Sequence, residues 1–191
     1  MKDEPVIEFA NQAAWATWLK KHHAASKGIA MRLAKKATGI ASITYPEALD
    51  VALCYGWIDG LRKSDGASYY TQRFTPRKPK SIWSKVNRLK VAALIEQGRM
   101  QPAGLAEIER AKKDGRWDAA YDGPSKATVP EDLQAALDRK PKAKAFFAKL
   151  NGQNRYAILF RLHSAKKPET RARRLATFVA MLEKHETLYP Q

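Results

Sequence analysis

The sequence predicts an α+β fold, in which helices pack on a small antiparallel sheet over residues 28–75 and a helical C-terminal module follows. Two patterns indicate the sheet. Apolar residues alternate in "GIAMRLAKK" (28–36), and two runs rich in aromatic and β-branched residues flank "SDG" (64–66). From Ser81 onward the apolar spacing is helical instead. Strand patterns thus come first and helical patterns follow, which is typical of an α+β protein.

Helix signals surround the predicted strands in the first half of the chain. Residues 10–23 carry two tryptophans and a leucine at helical spacing. In "TYPEALDVALCYG", Thr44 and Glu47 have the spacing of a capping box, so a helix is predicted to begin there. The hairpin that follows has Gly66 in its turn, where a positive φ is tolerated.

From Ser81 onward the predicted elements are all helices. One helix runs from Ser81 to Gly98, and a second runs from Pro102 to Gly115. The apolar face of the first of these helices is predicted to consist of Ile82, Val86, Leu89 and Ala93. Three or four more helices are predicted, over residues 131–139, 141–150, 153–163 and 169–185.

A stretch with two prolines and a glycine, "YDGPSKATVP", is the best linker candidate. It predicts an α+β domain over residues 1–121, a linker over 122–130 and a helical module over 131–191. The total length of 191 residues suits one domain with a small second module.

The charge of the chain is strongly positive and is concentrated in two segments. The formal net charge is +16 and the pI is about 10.0. Residues 62–90 hold nine Lys and Arg against one acid, and residues 139–174 hold twelve against one. Such clusters favour anionic partners, which are nucleic acid, anionic lipid or phosphorylated small molecules.

Compartment and cofactor signals are sparse. The start "MKDEPVIEFANQ" lacks the apolar core of a secretory signal, and no apolar run has the length of a transmembrane span. A single cysteine, Cys54, fits a reducing compartment and is predicted to pack in the core, so we expect a cytoplasmic protein. The four histidines and Cys54 lack metal-ligand spacing, and no nucleotide-binding motif is present, so no metal and no cofactor are predicted.

The stretch "FTPRKPKSIWSKVNR" (74–88) leads from the hairpin into a helix. Its two prolines favour an extended backbone, from which the basic side chains point outward. Ser81 is predicted to be the N-cap, and the N–H groups after it attract anions. The alternative is a solvated basic loop whose serine only caps the helix. The predicted anion-binding residues here are Arg73, Arg77, Lys78, Lys80, Ser81 and Trp83, of which Trp83 stacks on a base or fills the core.

The second basic segment contains "AKKPETRARR" (165–174). A helix from Thr170 places Arg171 and Arg174 on one face, near the turn with Lys166 and Lys167. These four residues are predicted to follow the phosphates of a polyanion. The alternative is an ordinary solvated helix face.

An enzymatic alternative depends on Asp59, which lies between apolar residues and glycines in "GWIDG". A buried carboxylate is one way to build a general base, with Tyr69 or Tyr70 and Arg73 around a small acidic substrate. The alternative for Asp59 itself is a turn residue or an ion-pair partner. No residue is predicted to be catalytic.

Several longer motifs together resemble the YdeI/OmpD-associated family, also called bacteriocin-protection proteins. They are "YPEALDVALCYGWIDGLRKS", "RFTPRKPKSIWSKVN", "LIEQGRMQPAGLAEIERAKKDGRWDAAY" and "AKKPETRARR", in this order from about residue 10 onward. The resemblance implies a bacterial protein linked to envelope stress and to resistance against cationic antimicrobial peptides. It also implies association with an outer-membrane porin, as proposed for some members, and supplies no catalytic residues.

The favoured function is therefore a non-enzymatic stress-resistance protein whose basic surfaces bind an anionic partner such as nucleic acid. An enzyme that uses Asp59 and a protein-interaction adaptor remain the alternatives.

Overall fold

The computed structural model describes residues 4–191. These residues form two compact units, of which the first ends at Ala120 and the second is Tyr121–Gln191. The domain boundaries predicted from the sequence, with a linker over 122–130, stay a prediction.

The first unit contains a four-stranded mixed sheet. Its strands are β1 (Val6–Glu8), β2 (Ile29–Ala34), β3 (Trp57–Asp65) and β4 (Tyr69–Pro76). They are arranged in the order β1-β2-β4-β3; β1 pairs parallel to β2, and the other pairs are antiparallel. The predicted α+β class is confirmed. The parallel edge strand β1 was not predicted, because three residues are too few to show an alternating pattern.

Four helices accompany the sheet, and a 3-10 turn follows β2 at Lys36–Thr38. The helices are α1 (Gln12–His22), α2 (Tyr45–Cys54), α3 (Lys85–Glu96) and α4 (Pro102–Lys113). The predicted capping box of α2 is confirmed, since Glu47 accepts the backbone N–H of Thr44 at 2.8 Å. Gly66 in the hairpin has a φ of 72°, as predicted.

The core of this unit is dominated by tryptophan. Trp15, Trp57 and Trp83 are almost fully buried, together with Phe74 from the inner face of β4. Cys54 is buried in the same cluster, which confirms its predicted packing role. Burial raises the pKa of its thiol.

Helix α3 differs from the prediction in its start and in its orientation. It begins at Lys85, because Ser84 is extended and its hydroxyl accepts the N–H of Asn87 at 3.1 Å. The prediction of Ser81 as the N-cap is therefore wrong.

The predicted apolar face of α3 is also wrong, because that face is exposed and Val91 and Leu94 are buried instead. Apolar residues occur on both sides of the helix. Lys90, next to the buried Val91, forms an ion pair at 2.6 Å with Asp50 of α2.

The second unit is a cluster of four helices, and all four were predicted. They are α5 (Glu131–Asp138), α6 (Pro141–Lys149), α7 (Gly152–His163) and α8 (Pro168–Glu183). Each contributes apolar residues to one core, which includes Leu133, Phe147, Ile158, Leu162 and Leu182. Pro141 and Pro168 stand at the first position of their helices, where a missing N–H costs nothing.

Candidate anion-binding site

The segment between β4 and α3 contains a tight turn over residues 78–81. The N–H of Ser81 donates to the carbonyl of Lys78 at 2.9 Å, and the N–H of Lys78 donates to Oγ of Ser81 at the same distance. Pro79 occupies the second position of this turn, where its fixed φ is favourable. Ser81 thus closes the turn from both ends, which is why it does not cap the helix.

Two buried arginines hold the end of this turn. Arg77 and Arg116 are only 5% and 6% exposed. Arg77 Nη1 donates to the carbonyl of Ile82 at 3.1 Å, and Arg116 Nη1 donates to the carbonyl of Ser81 at 2.6 Å. Two successive carbonyls are thereby bound by charged donors, which form stronger hydrogen bonds than neutral ones. We call residues 77–84 the braced loop.

An indole of the braced loop, Trp83, packs against a second indole, Trp117. The guanidinium of Arg77 lies over the ring of Trp83, and Trp83 packs edge-on against Trp117 at 5.0 Å between ring centroids. Arg88 of α3 covers the other indole, with its guanidinium carbon 4.9 Å from the Trp117 ring centroid. Each cationic side chain lies over an aromatic face, which is the favourable geometry for a cation–π contact.

A carboxylate lies among the arginines of this region. Glu107 of α4 forms an ion pair with Arg110. Burial raises the pKa of Glu107, while the charges of Arg110, Arg77 and Arg116 act in the opposite direction. Arg116 is also ion-paired with Asp114 at 2.7 Å.

The predicted site residues of this segment divide into two groups. Arg77 and Trp83 are buried parts of the fold, so the prediction that the basic side chains all point outward is wrong for Arg77. Arg73 lies on the outer face of the sheet, where Nε donates to Oε2 of Glu4 at 2.7 Å. In contrast, Lys78 and Lys80 are exposed and form no ion pair with any residue in 4–191. Their anion binding stays a prediction.

The second basic segment shows the same division. Arg171 forms two hydrogen bonds to the carboxylate of Asp132, at 2.6 and 2.9 Å, and a third to the carbonyl of Leu162 at 2.8 Å. Arg174 donates to the carbonyl of Arg161. Both arginines therefore donate to carbonyls in the last turn of α7, where helical N–H partners run out. Lys166 and Lys167 are exposed at the corner between α7 and α8.

The enzymatic alternative is not assembled as predicted. Asp59 and Tyr70 lie toward the core side of the sheet, whereas Tyr69 and Arg73 alternate onto the opposite face. The carboxylate of Asp59 accepts the hydroxyl of Tyr45 at 2.9 Å, as an internal contact.

A cleft of about 830 Å³ lies near this hydroxyl and is lined by Lys35, Lys36, Tyr45, Arg62 and Tyr70 among others, but Asp59 does not line it. Within residues 4–191, no group of three or more His, Cys, Asp or Glu is placed to hold a metal ion.

Two residues that shape the braced loop, one within it and one outside it, were not found from the sequence. Ser84 is the real N-cap, and its spacing to Asn87 lacks the acidic partner that marks a capping box. Arg116 is distant in sequence from the turn that it binds, and nothing in "KDGRWD" indicates that contact.

The two units define an α+β module followed by a four-helix module, and each matches a family model. The model described as "Domain of unknown function (DUF8412)" matches residues 7–107, which is more than half of the 191 residues, so the chain belongs to that family. The model described as "Bacteriocin-protection, YdeI or OmpD-Associated" matches residues 126–185.

The resemblance to the YdeI/OmpD-associated family is thus confirmed for the C-terminal part of the chain, while the N-terminal part matches a different family. No curated protein and no solved structure matches the chain. Among the helices of residues 4–191, none has the length and apolarity needed to cross a bilayer.

Proposed function

We propose that this chain is a non-enzymatic bacterial stress-resistance protein of the bacteriocin-protection type, which binds an anionic partner through Lys78 and Lys80. The match of residues 126–185 supports the resistance role. The observation that carries the binding role is the exposure of these two lysines on a turn that buried arginines hold in place.

The physical reason is that the backbone of the turn has little conformational freedom left to lose on binding. A flexible basic loop loses conformational entropy when it binds, and that loss weakens affinity. The hydrogen bonds of Ser81, Arg77 and Arg116 fix the backbone before any ligand arrives. Within residues 4–191 the ammonium groups of Lys78 and Lys80 pair with no carboxylate, so a phosphate displaces no ion pair there. Lys166 and Lys167 form a second exposed cationic pair, at the start of α8.

This binding offers a simple route to protection. Cationic antimicrobial peptides bind the phosphates of polymers and lipids through their own positive charges. A basic protein bound to the same phosphates therefore competes with the peptides. The protein then needs no catalytic residue, in keeping with an Asp59 whose carboxylate is bonded within the fold.

The test compares two double variants of equal charge. Lys78→Gln with Lys80→Gln removes the turn lysines, and Lys20→Gln with Lys21→Gln removes two exposed lysines of α1. Titration of duplex DNA at increasing salt should give a log–log salt slope smaller by about 1 for each turn lysine removed. The α1 variant should keep nearly the full affinity. Equal losses in both variants would contradict a local site and leave only general charge attraction.

A test in cells uses the same two double variants. A strain that lacks the chromosomal copy is complemented with each variant and exposed to a cationic peptide. We expect the turn variant to lose protection and the α1 variant to keep it. Full protection by the turn variant, at equal protein level, would remove the turn from the mechanism.

A further inference from the structure

Three aliphatic side chains beside the turn lysines are open to solvent. Ile82, Val86 and Leu89 are 43%, 50% and 70% exposed. Val86 and Leu89 are three residues apart on α3 and so lie on the same face of the helix. Single exposed aliphatic residues are ordinary on protein surfaces, whereas a group of them within eight residues indicates a contact surface. We call these three residues the apolar patch.

Exposed lysines adjoin the apolar patch in the sequence. Lys78 and Lys80 precede it on the braced loop and are exposed. Lysine stems are themselves apolar and reach several ångströms beyond the backbone, which lets the ammonium groups bind phosphates while the stems stay beside apolar groups. Aliphatic side chains bordered by lysines are the composition of helices that lie at a membrane surface.

We propose that the anionic partner of this site is a lipid bilayer rich in anionic headgroups. The apolar patch inserts at the headgroup level, and the neighbouring lysines bind the lipid phosphates. This inference rests on the proposed function, because it uses the same turn lysines, and it goes further by naming the partner.

Two observations favour a bilayer over other occupants. A second protein, including another copy of this chain, needs roughly 800 Å² on each side for a stable interface, and three aliphatic side chains supply only a small part of that area. A nucleic acid backbone satisfies the lysines but gains nothing from Val86 and Leu89. A bilayer uses both, since peripheral binding combines shallow apolar burial with attraction to anionic headgroups.

The experiment measures sedimentation of the full chain with vesicles of phosphatidylglycerol, with phosphatidylcholine vesicles as the neutral comparison. Val86→Ser with Leu89→Ser removes most of the apolar patch. The matched control is Val6→Ser with Ile40→Ser, two exposed aliphatic residues elsewhere in the first unit. We expect the patch variant to bind phosphatidylglycerol about tenfold more weakly and the control variant to bind like the wild type. DNA binding should be unchanged in both variants.

The outcomes separate this inference from the function on which it rests. Wild-type binding to DNA without binding to phosphatidylglycerol, or equal vesicle binding by the patch variant, would overturn the bilayer while leaving the turn lysines as a polyanion site. If the wild type is a dimer in gel filtration and the patch variant is a monomer, the apolar patch would be the contact with a second copy instead. If loss of Lys78 and Lys80 affects no ligand, the proposed function itself fails. Urea unfolding of each variant confirms that the fold is retained.

Discussion

The guanidinium carbon of Arg77 lies 3.7 Å from the centroid of the Trp83 ring, and both side chains are buried. Arg77 is therefore part of the protein interior, whereas its neighbours Lys78 and Lys80 are exposed to solvent. The backbone N–H of Arg77 also donates to the carbonyl of Gly56, at the start of β3. One arginine thus ties the sheet, the braced loop and the indole cluster together.

This arrangement predicts that Arg77→Ala destabilises the first unit by about 2 kcal/mol, because it removes a buried cation–π contact and leaves the carbonyl of Ile82 without its charged donor. Urea unfolding followed by tryptophan fluorescence measures the change. Lys78→Ala should stay within about 0.5 kcal/mol of the wild type, as an exposed residue. Equal stabilities of the two variants would contradict the structural role of Arg77.

Replacing each of the two serines of the braced loop should have a different effect. Ser84→Ala removes the N-cap of α3 and should cost about 1 kcal/mol. Its effect on hydrogen exchange should be greatest at the amide of Asn87, whose N–H donates a hydrogen bond to the Ser84 hydroxyl. Ser81→Ala opens the turn instead, so the amide of Lys78 should exchange faster and DNA affinity should fall moderately. The assignment of the two serines is wrong if Ser81→Ala exposes the Asn87 amide.

The sequence predicted elements well where the signal was local. The capping box of α2, the hairpin at Gly66 and the four C-terminal helices all depend on residues a few positions apart. The orientation of α3 was not predictable in this way. It carries apolar residues on two sides, and the burial of Val91 and Leu94 depends on contacts with residues distant in sequence, such as Asp50 of α2, which pairs with Lys90.

The candidate site shows the same limit. Positive charge along the chain predicted a site in this segment, and Lys78 and Lys80 are exposed there. Composition does not show which cations the fold itself uses, because Arg73 finds Glu4 and Arg171 finds Asp132 across many residues. Among the predicted site residues, Arg73, Arg77, Arg171 and Arg174 are bound within the fold, in line with the forked geometry of arginine for carboxylates and carbonyls.

Two glycines in helices offer a sharp comparison of backbone packing. A Cβ on Gly104 of α4 would lie 2.3 Å from the carbonyl oxygen of Cys54 at the end of α2. Gly104→Ala should therefore cost at least about 2 kcal/mol, since backbone atoms have to move apart.

Gly152 begins α7, and a Cβ there would meet no atom within 4 Å. Gly152→Ala should leave stability unchanged or raise it by up to about 1 kcal/mol, through the lower entropy of the unfolded chain. Calorimetry of both variants measures the difference. Similar melting temperatures for the two would contradict the close approach of α4 to α2.

The ion pair between Arg171 and Asp132 predicts how the stability of the second unit depends on pH. The hydrogen bonds from Arg171 hold the pKa of Asp132 below its ordinary value of 3.8, although burial acts in the opposite direction. A carboxyl with a lowered pKa in the folded state adds stability that is fully present above the ordinary value. That stability is lost as the pH falls through the lowered pKa.

Asp132→Asn should accordingly be less stable than the wild type near neutral pH, by at most about 1 kcal/mol, because the pair is about a third exposed. The difference should shrink as the pH falls below 3.8 and vanish once the wild-type carboxyl is protonated. Urea unfolding at a series of pH values measures it. Glu186→Gln, at an exposed position of the same unit, is the matched control and should follow the wild type throughout. A gap between Asp132→Asn and wild type that stays constant down to the lowest pH would show that the asparagine acts through packing and not through the lost charge.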